Sequence, residues 1–217
     1  IKKILTKSFI KGVNISENYK NIDTFFQIKI NDNNSKIFYF ENNALKFEQN
    51  FKFGTDIVIK DISKITSLRE NDVQEILNKN EFSDSLENEL IDEDFFRNSN
   101  YRKIKKKLIY EIALARIKEI SELIIFKNVN FKYYNKISNI IFLEVDYKSY
   151  LKSLDKIFKL TFSSNGNYEL KYFEDLSSEN MLGTANRLVH FGWKKEAVPV
   201  SVVKKSLISR FFEILFK

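Results

Sequence analysis

The sequence predicts an α/β fold, because stretches with the apolar alternation of strands are followed by stretches with the periodicity of helices. Phe26, Ile28 and Ile30 alternate with polar residues, as in a strand with one buried face. Residues 101–127 instead repeat apolar side chains at spacings of three and four, as on one face of a helix. Two further strand and helix pairs are predicted within 139–191. Strands that alternate with helices are typical of an α/β domain.

The first half of the chain is predicted to contain a three-stranded meander. Short asparagine-rich turns separate three strand-like segments, at 24–32, 35–41 and 44–53. Isoleucines then recur at about every third or fourth position, which predicts a helix near 57–65. Thr66 and Ser67, followed by Glu70, predict a start resembling a capping box for a further helix that runs through Leu77.

The middle of the chain combines an acidic loop with a basic helix start. The predicted loop over 78–100 carries six acidic residues between Asp84 and Asp94. The helix over 101–127 opens with five basic residues between Arg102 and Lys107, where the helix dipole disfavours positive charge. We therefore expect the acidic loop to contact the basic cluster.

Two strands and two helices are predicted in the second half. The strands cover 139–145 and 168–173, and the helices cover 149–160 and 177–191. Gly192 follows the last of these helices, in the position of a C-cap.

The composition excludes several functional classes. The chain of 217 residues has no cysteine and one histidine, which excludes disulfides, thiolate metal sites and histidine-rich metal centres. Its five glycines are few for an enzyme with glycine-rich phosphate loops. No apolar run approaches twenty residues, so we expect no membrane-spanning helix. The sequence starts at Ile1 and not at methionine, and we expect it to be a fragment whose N-terminal half is missing.

The last 24 residues carry much of the positive charge. The net charge is +7, and six basic and two acidic residues from Lys194 onward contribute +4 of it. Residues 194–200 are predicted to be a linker, and 201–217 a helix with a broad apolar arc opposite a polar face. We expect this helix to lie in the plane of an anionic membrane surface. The predicted membrane-binding residues are Lys205, Leu207, Ile208, Arg210, Phe211, Phe212, Leu215 and Phe216. The alternative is a terminal helix packed on its own domain.

The order of these segments resembles the C-terminal half of the bacterial actin homologue FtsA. Residues 53–62 are similar to a "PxGGxxITxDI" segment that follows the phosphate hairpin of that family. Residues 112–120 resemble its "II-x-AR-x-EEI" helix, and 140–145 the strand after it. Residues 183–192 resemble its late "STAVGLLxYG" helix, and FtsA also ends in a linker and an amphipathic helix. The resemblance implies an actin-like (RNase H-like) lobe in the actin and Hsp70 superfamily.

The resemblance implies ATP as a cofactor, but the phosphate and adenosine motifs are degenerate. The family's "DIGGGTTDIAIF" hairpin corresponds to a stretch without glycine, whose loop residues are Asn31, Asp32, Asn33, Asn34 and Ser35. The family's "LTGG" loop, which contacts adenosine, corresponds to residues 143–146, Leu-Glu-Val-Asp. We call this segment the adenosine loop. The contact positions of the family's "AE-x-IK" helix correspond to Gln74 and Leu77 in this sequence. Because glycine lets backbone N–H groups approach phosphate closely, we expect nucleotide binding to be weak or absent.

The resemblance further implies a non-enzymatic adaptor that tethers filaments of the division protein FtsZ to the cytoplasmic face of the inner membrane. The FtsZ C-terminal peptide would dock near the "AR-x-EEI" helix, on Arg116 and Glu119, with Lys107 close to another basic position. Pairing of Arg116 with Glu119 within the helix is the alternative. The family also self-associates into filaments. No metal site is expected.

The implied organisation is a larger lobe over 1–70 and 137–193, interrupted by a small, mainly helical subdomain over 71–136. Two other functions stay open. The chain could belong to an actin or Hsp70-type ATPase whose activity depends on the missing half. It could also bind nucleic acid through the cluster at 102–107, although no recognised binding motif supports this and we expect no nucleic-acid partner.

Overall fold

A mixed five-stranded sheet forms the centre of the molecule. The computed structural model describes residues 5–80, 88–96, 101–133, 140–145, 153–164, 168–172 and 177–193. The strands are β1 (Phe25–Ile30), β2 (Ser35–Glu41), β3 (Ala44–Phe51), β4 (Ile140–Val145) and β5 (Glu169–Tyr172). Their order in the sheet is β3-β2-β1-β4-β5. The first three strands are antiparallel, whereas β1, β4 and β5 are parallel. The predicted meander and α/β class are confirmed.

Helices cover both faces of this sheet. They are α1 (Lys7–Asn18), α2 (Asp56–Thr66), α3 (Glu70–Lys79), α4 (Lys106–Ser121), α5 (Asp155–Ser164) and α6 (Ser178–Phe191). A π-helical turn at Glu122–Phe126 continues α4, and 3₁₀ turns occur at Glu93–Phe96 and Val129–Tyr133. Among the described residues, none of the helices is both long and apolar enough to cross a bilayer.

The larger hydrophobic core lies between the sheet and helices α2, α4 and α5. Phe26 and Ile28 of β1 are fully buried there against Ile62 of α2, Ile117 of α4 and Phe158 of α5. Alternate residues of β1 face opposite sides of the sheet, so the apolar alternation of the sequence places Phe26 and Ile28 in this core.

Helix α1 covers the opposite face of the sheet. Its Ile15 is buried with four phenylalanines from the strands, including Phe25 and Phe40, whose rings stack with centroids 4.8 Å apart. Helix α6 lies against α1, where Leu188 packs between Ile10 and Val13. The molecule is therefore a sheet between two helical layers.

No apolar periodicity predicts α1, because three of its buried positions, including Ser16, do not carry apolar side chains. The helix starts after Thr6, whose hydroxyl oxygen accepts a hydrogen bond from the Phe9 N–H (3.3 Å). Lys11 and Gly12 are both buried. A Cβ at position 12 would lie 2.0 Å from Cζ of Phe40, so glycine is required for α1 to approach the sheet.

The predicted capping box at Thr66 and Ser67 is wrong. Thr66 belongs to α2, where its hydroxyl donates to a carbonyl of that helix, and Ser67 ends α2 with a φ of 56°. Helix α3 has Arg69 as its N-cap residue and no side-chain cap. Arg69 instead donates to both carboxylate oxygens of Asp72 (2.8 and 2.9 Å), and this hydrogen bonding lowers the pKa of Asp72.

Helix α4 begins at Lys106, five residues later than predicted. The residues before it pair with the acidic segment, since the Ile91 N–H donates to the Ile104 carbonyl (2.8 Å). Lys106 also forms an ion pair with Glu89 (3.1 Å). The predicted contact between the acidic loop and the basic cluster is confirmed at this pair.

Helix α5 also differs from its predicted bounds. It covers Asp155–Ser164, whereas 149–152 lie outside the described residues. Strand β5 and helix α6 agree closely with prediction. Gly192 caps α6 with a φ of 70°, and its N–H donates to the Leu188 carbonyl (3.0 Å).

The division into a larger lobe and an inserted subdomain over 71–136 stays a prediction. Buried side chains of α3 and α4, such as Val73 and Ile109, belong to the same hydrophobic cluster as the sheet. The predicted linker and the amphipathic helix, 194–217, lie outside the described residues.

Candidate functional site

The parallel strands β1 and β4 end side by side, since Ile30 pairs with Val145. In α/β sheets, ligand sites commonly lie just beyond the carboxyl ends of parallel strands. The segment Asn31–Asn34, which we call the asparagine turn, leaves β1 at this edge. The resemblance places the phosphate hairpin at the same turn.

The asparagine turn is hydrogen-bonded both within itself and to the start of α2. The Asn31 N–H donates to the Asn34 carbonyl (2.9 Å), and the two side-chain amides are linked at 2.7 Å. The Thr55 N–H donates to the Asn31 carbonyl and the Asp56 N–H to the Asp32 carbonyl, each at 2.9 Å. The turn carbonyls thus take up N–H groups that a helix start otherwise leaves without partners.

Gly54 permits this close contact. A Cβ at position 54 would lie 2.0 Å from the Asn31 carbonyl oxygen and 2.5 Å from that of Asp32. On the other side of the turn, the buried Ser35 hydroxyl donates to the Phe53 carbonyl (2.8 Å). The five predicted loop residues are therefore brought together and held against the segment that precedes α2.

This geometry does not fit the phosphate cradle that the resemblance implies. A helix start binds phosphate when its N–H groups point at the ligand, but those of Thr55 and Asp56 donate to carbonyls of the turn. The described residues Asn31–Asn34 also all have negative φ. A phosphate nest needs successive N–H groups that converge, commonly through a residue of positive φ.

A partly buried cluster of three charges lies beside this edge. The Glu144 carboxylate accepts hydrogen bonds from the ammonium groups of Lys11 (2.6 Å) and Lys29 (2.8 Å). Lys11 is 2% exposed and Glu144 is 11% exposed, so the carboxylate is largely withdrawn from water. The ion pairs connect α1 to β1 and β4. They occupy the position at which the resemblance places the adenosine loop.

Arg116 of α4 is held by two acidic neighbours. Its Nε donates to the Asp61 carboxylate of α2, and its Nη1 donates to Glu119 at 2.6 Å. The predicted pairing of Arg116 with Glu119 within the helix is thus present. The Arg116 side chain is 26% exposed and the Glu119 side chain is 52% exposed, so both can still be reached from solvent.

Lys107 does not lie beside this pair. It belongs to the first turn of α4, nine residues before Arg116. At 100° and 1.5 Å per residue, this spacing places the two residues on opposite sides of the helix and about 13 Å apart along its axis. The three predicted partner-binding residues therefore do not form one compact site.

Sequence patterns identify only part of these ion pairs. Lys29 and Glu144 each interrupt an apolar strand one residue before its end, and a charge in such a place requires a partner. Lys11 and Asp61 have partners 133 and 55 residues away, so no local pattern could identify them.

The eight predicted membrane-binding residues lie in 205–216, outside the described residues. In the part of the chain that is described, no group of three potential metal ligands occurs.

Comparisons with known proteins show the fold alone. No protein-family model matches the sequence. No curated protein matches it either. The structure is similar to that of MreB5 from Spiroplasma citri bound to ADP, with a TM-score of 0.51 and 12% identity over 85% of this chain and 59% of that chain. The same protein bound to AMPPNP gives a TM-score of 0.50 and 13% identity over 84% and 57%.

A second similar structure is the PilM–PilN type IV pilus biogenesis complex. It has a TM-score of 0.50 and 8% identity, and the match covers 86% of this chain and 50% of that one. The chain thus spans 50–59% of the length of these solved chains. The mixed five-stranded sheet and its helices match these neighbours, and the chain has the α/β fold of an actin-like lobe.

Proposed function

We propose that this chain belongs to an FtsA-like adaptor that tethers FtsZ filaments to the cytoplasmic face of the inner membrane at the division site. The observation that carries the proposal is the pattern of 201–217, in which a broad apolar arc with three phenylalanines faces a polar side, directly after an actin-like lobe. A single amphipathic helix binds membranes reversibly, so assembly of the adaptor into filaments would supply the avidity that firm attachment needs.

The first test of this proposal is co-sedimentation with anionic vesicles. The intact chain is expected to pellet with vesicles of about 30% anionic lipid, and a chain ending at Pro199 is expected to stay in solution. Phe211→Asp should weaken binding about tenfold or more, because it replaces an aromatic side chain that would enter the bilayer with a charged one. Added salt should weaken the binding of the intact chain without abolishing it.

Ser209→Asp is the matched control, since it introduces the same charge on the polar side of the same helix. It should reduce binding much less than Phe211→Asp. If the intact chain stays in the supernatant, 201–217 does not bind this membrane and the tethering proposal is wrong. Equal effects of the two variants would show that net charge alone attracts the chain.

We further propose that the FtsZ C-terminal peptide docks on the solvent-exposed part of the Arg116 and Glu119 pair. The guanidinium can exchange Glu119 for a peptide carboxylate while it keeps its bond to Asp61. This is possible because different N–H groups of the guanidinium bind the two carboxylates. Glu119, once released, can accept a hydrogen bond from a basic peptide side chain. Docking would then order the peptide along α4.

Arg116→Gln is expected to weaken peptide binding about tenfold, since a hydrogen bond to a charged group is lost. Charge reversal to glutamate is a less specific test, because it would place a third carboxylate beside Asp61 and Glu119. Lys118→Gln, an exposed lysine on the same helix, serves as the control. Titration of a labelled peptide by fluorescence anisotropy measures both variants, and circular dichroism checks the fold. Unchanged affinity of Arg116→Gln would rule out this docking site.

The adaptor is proposed to act without ATP hydrolysis. The support is the asparagine turn, whose carbonyls occupy the N–H groups at the start of α2. Calorimetric titration of the complete protein with ATP is expected to show weak or undetectable binding. A dissociation constant in the nanomolar to low-micromolar range would contradict this and would favour the ATPase alternative.

A further inference from the structure

A cavity of about 590 Å³ lies where the end of α6 meets the end of α1. Its rim includes Glu17 and Lys20 from the α1 side, and Arg187, Phe191 and Trp193 from the α6 side. None of these residues belongs to the asparagine turn or to the Arg116 pair. The volume is within the range of sites that accept small molecules or the headgroup of a lipid.

Two aromatic side chains, Phe191 and Trp193, lie at this rim. Phe191 is 81% exposed, which leaves a large apolar surface in water at the last residue of α6. Trp193 is fixed in position because its indole N–H donates to the Asn43 carbonyl (3.1 Å). Tryptophan is enriched at the level of lipid headgroups, and the exposed ring of Phe191 offers apolar surface that can enter the bilayer.

The charge of the rim is positive. Arg187 and Glu17 neutralise each other through two contacts of 2.5 Å. Lys20 adds a positive charge to the rim, and in the described part of the chain no ion pair to it is found. The sequence continues after Trp193 with Lys194 and Lys195. This combination of basic and aromatic residues is complementary to an anionic membrane surface.

The chain also limits how far the rim can be from the proposed membrane helix. Seven residues, 194–200, separate Trp193 from Ser201. Seven residues span at most about 25 Å when fully extended. Of the described residues, those at the end of α6 are therefore closest along the chain to the membrane-binding segment.

We propose that this rim is a second membrane contact, in which Phe191 and Trp193 enter the headgroup region and Lys20 faces an anionic lipid. The proposal rests on the proposed tethering function. A single helix joined to the lobe through seven residues would not by itself fix the orientation of the lobe. A second contact fixes its orientation, so that the rim lies against the bilayer and the opposite end of the lobe points away from it.

Trp193 is the single tryptophan of the chain, so its fluorescence reports on this contact directly. The probe is the intact chain with vesicles of about 30% anionic phospholipid, with and without brominated acyl chains. Brominated lipid is expected to reduce the Trp193 emission at least twofold relative to the unbrominated vesicles. Sedimentation of the same samples measures attachment through 201–217 independently.

Two variants test whether the rim itself makes the contact. Phe191→Asp is expected to abolish the quenching and to weaken binding about tenfold, because an aromatic side chain no longer enters the bilayer. Lys20→Gln should weaken binding about fivefold, the effect of one lysine near an anionic surface. Val129→Asp and Lys52→Gln are controls at exposed positions away from this rim, and neither should alter quenching.

The outcomes separate the inference from the proposed function. If the intact chain sediments but brominated lipid leaves Trp193 emission unchanged, the second contact is wrong and the tether stands. Quenching that persists in Phe191→Asp would also overturn it, because the residues after Trp193 would then account for the signal. A concentration-dependent shift of Trp193 emission without vesicles would assign the rim to a second copy of the chain instead. Failure to sediment would remove both proposals.

Discussion

Gly54→Ala is expected to destabilise the lobe by about 3 kcal/mol, which is larger than the effect of most single substitutions. The added Cβ would lie 2.0 Å from the Asn31 carbonyl oxygen, which is backbone and cannot rotate away. The asparagine turn must therefore separate from the start of α2. That movement breaks the hydrogen bonds from the Thr55 and Asp56 N–H groups, and strain and lost hydrogen bonds add together.

Thermal unfolding followed by circular dichroism measures this effect. For a domain of this size, the expected loss corresponds to a Tm lower by about 6–12 °C. Gly183→Ala is the matched control, because Gly183 lies within α6 with nothing within 4 Å of its Cβ position. It should raise stability by about 0.5–1 kcal/mol, since alanine favours a helix over glycine. If Gly54→Ala has an unchanged Tm, the turn is not packed on α2 as the structure shows.

Glu144→Gln is expected to be the second strongly destabilising substitution, with a loss of about 3–5 kcal/mol. The reason is that Lys11 is 2% exposed and would lose the carboxylate that accepts its hydrogen bond at 2.6 Å. Without the negative charge of Glu144, the buried Lys11 ammonium loses its ion pair with this carboxylate, and its burial prevents water from replacing that interaction. The glutamine amide keeps the shape of the side chain but supplies only a neutral oxygen.

The double variant Lys11→Met and Glu144→Gln separates charge from packing. It should be more stable than Glu144→Gln alone, because a buried charge is replaced by an apolar side chain of similar length. Lys29→Met should cost less than either single change at the buried positions, since Lys29 is 25% exposed. Urea unfolding of the set forms a double-mutant cycle. Additive effects of Lys11→Met and Glu144→Gln would show that the two residues do not interact.

Much of the fold could be predicted because its signals are local. The meander follows from alternate apolar residues such as Phe26 and Ile28, separated from the next strand by the Asn31–Asn34 turn. Gly192 marks the end of α6 through its positive φ, which glycine adopts without steric cost. The absence of glycine from the Asn31–Asn34 turn can also be read from the sequence, because it is a matter of residue type alone.

Other boundaries depend on contacts that the sequence does not display. The start of α4 is set by the pairing of Ile104 with Ile91, which uses backbone groups that any residue has. The cap of α3 falls on Arg69, although Thr66 and Ser67 have the side chains that usually provide one. In both places, packing of neighbouring segments outweighs the intrinsic preference of a single residue.

The sequence by itself therefore determined the α/β class, the meander of the first three strands and the composition of the loops, since each depends on residues close together in the chain. The tertiary structure alone decided that α1 lies on the sheet, that Lys11 is buried against Glu144, and that Arg116 reaches Asp61. These contacts join residues 133 and 55 positions apart. Their energies depend on burial and distance in the folded chain, and neither quantity exists until the layers have packed.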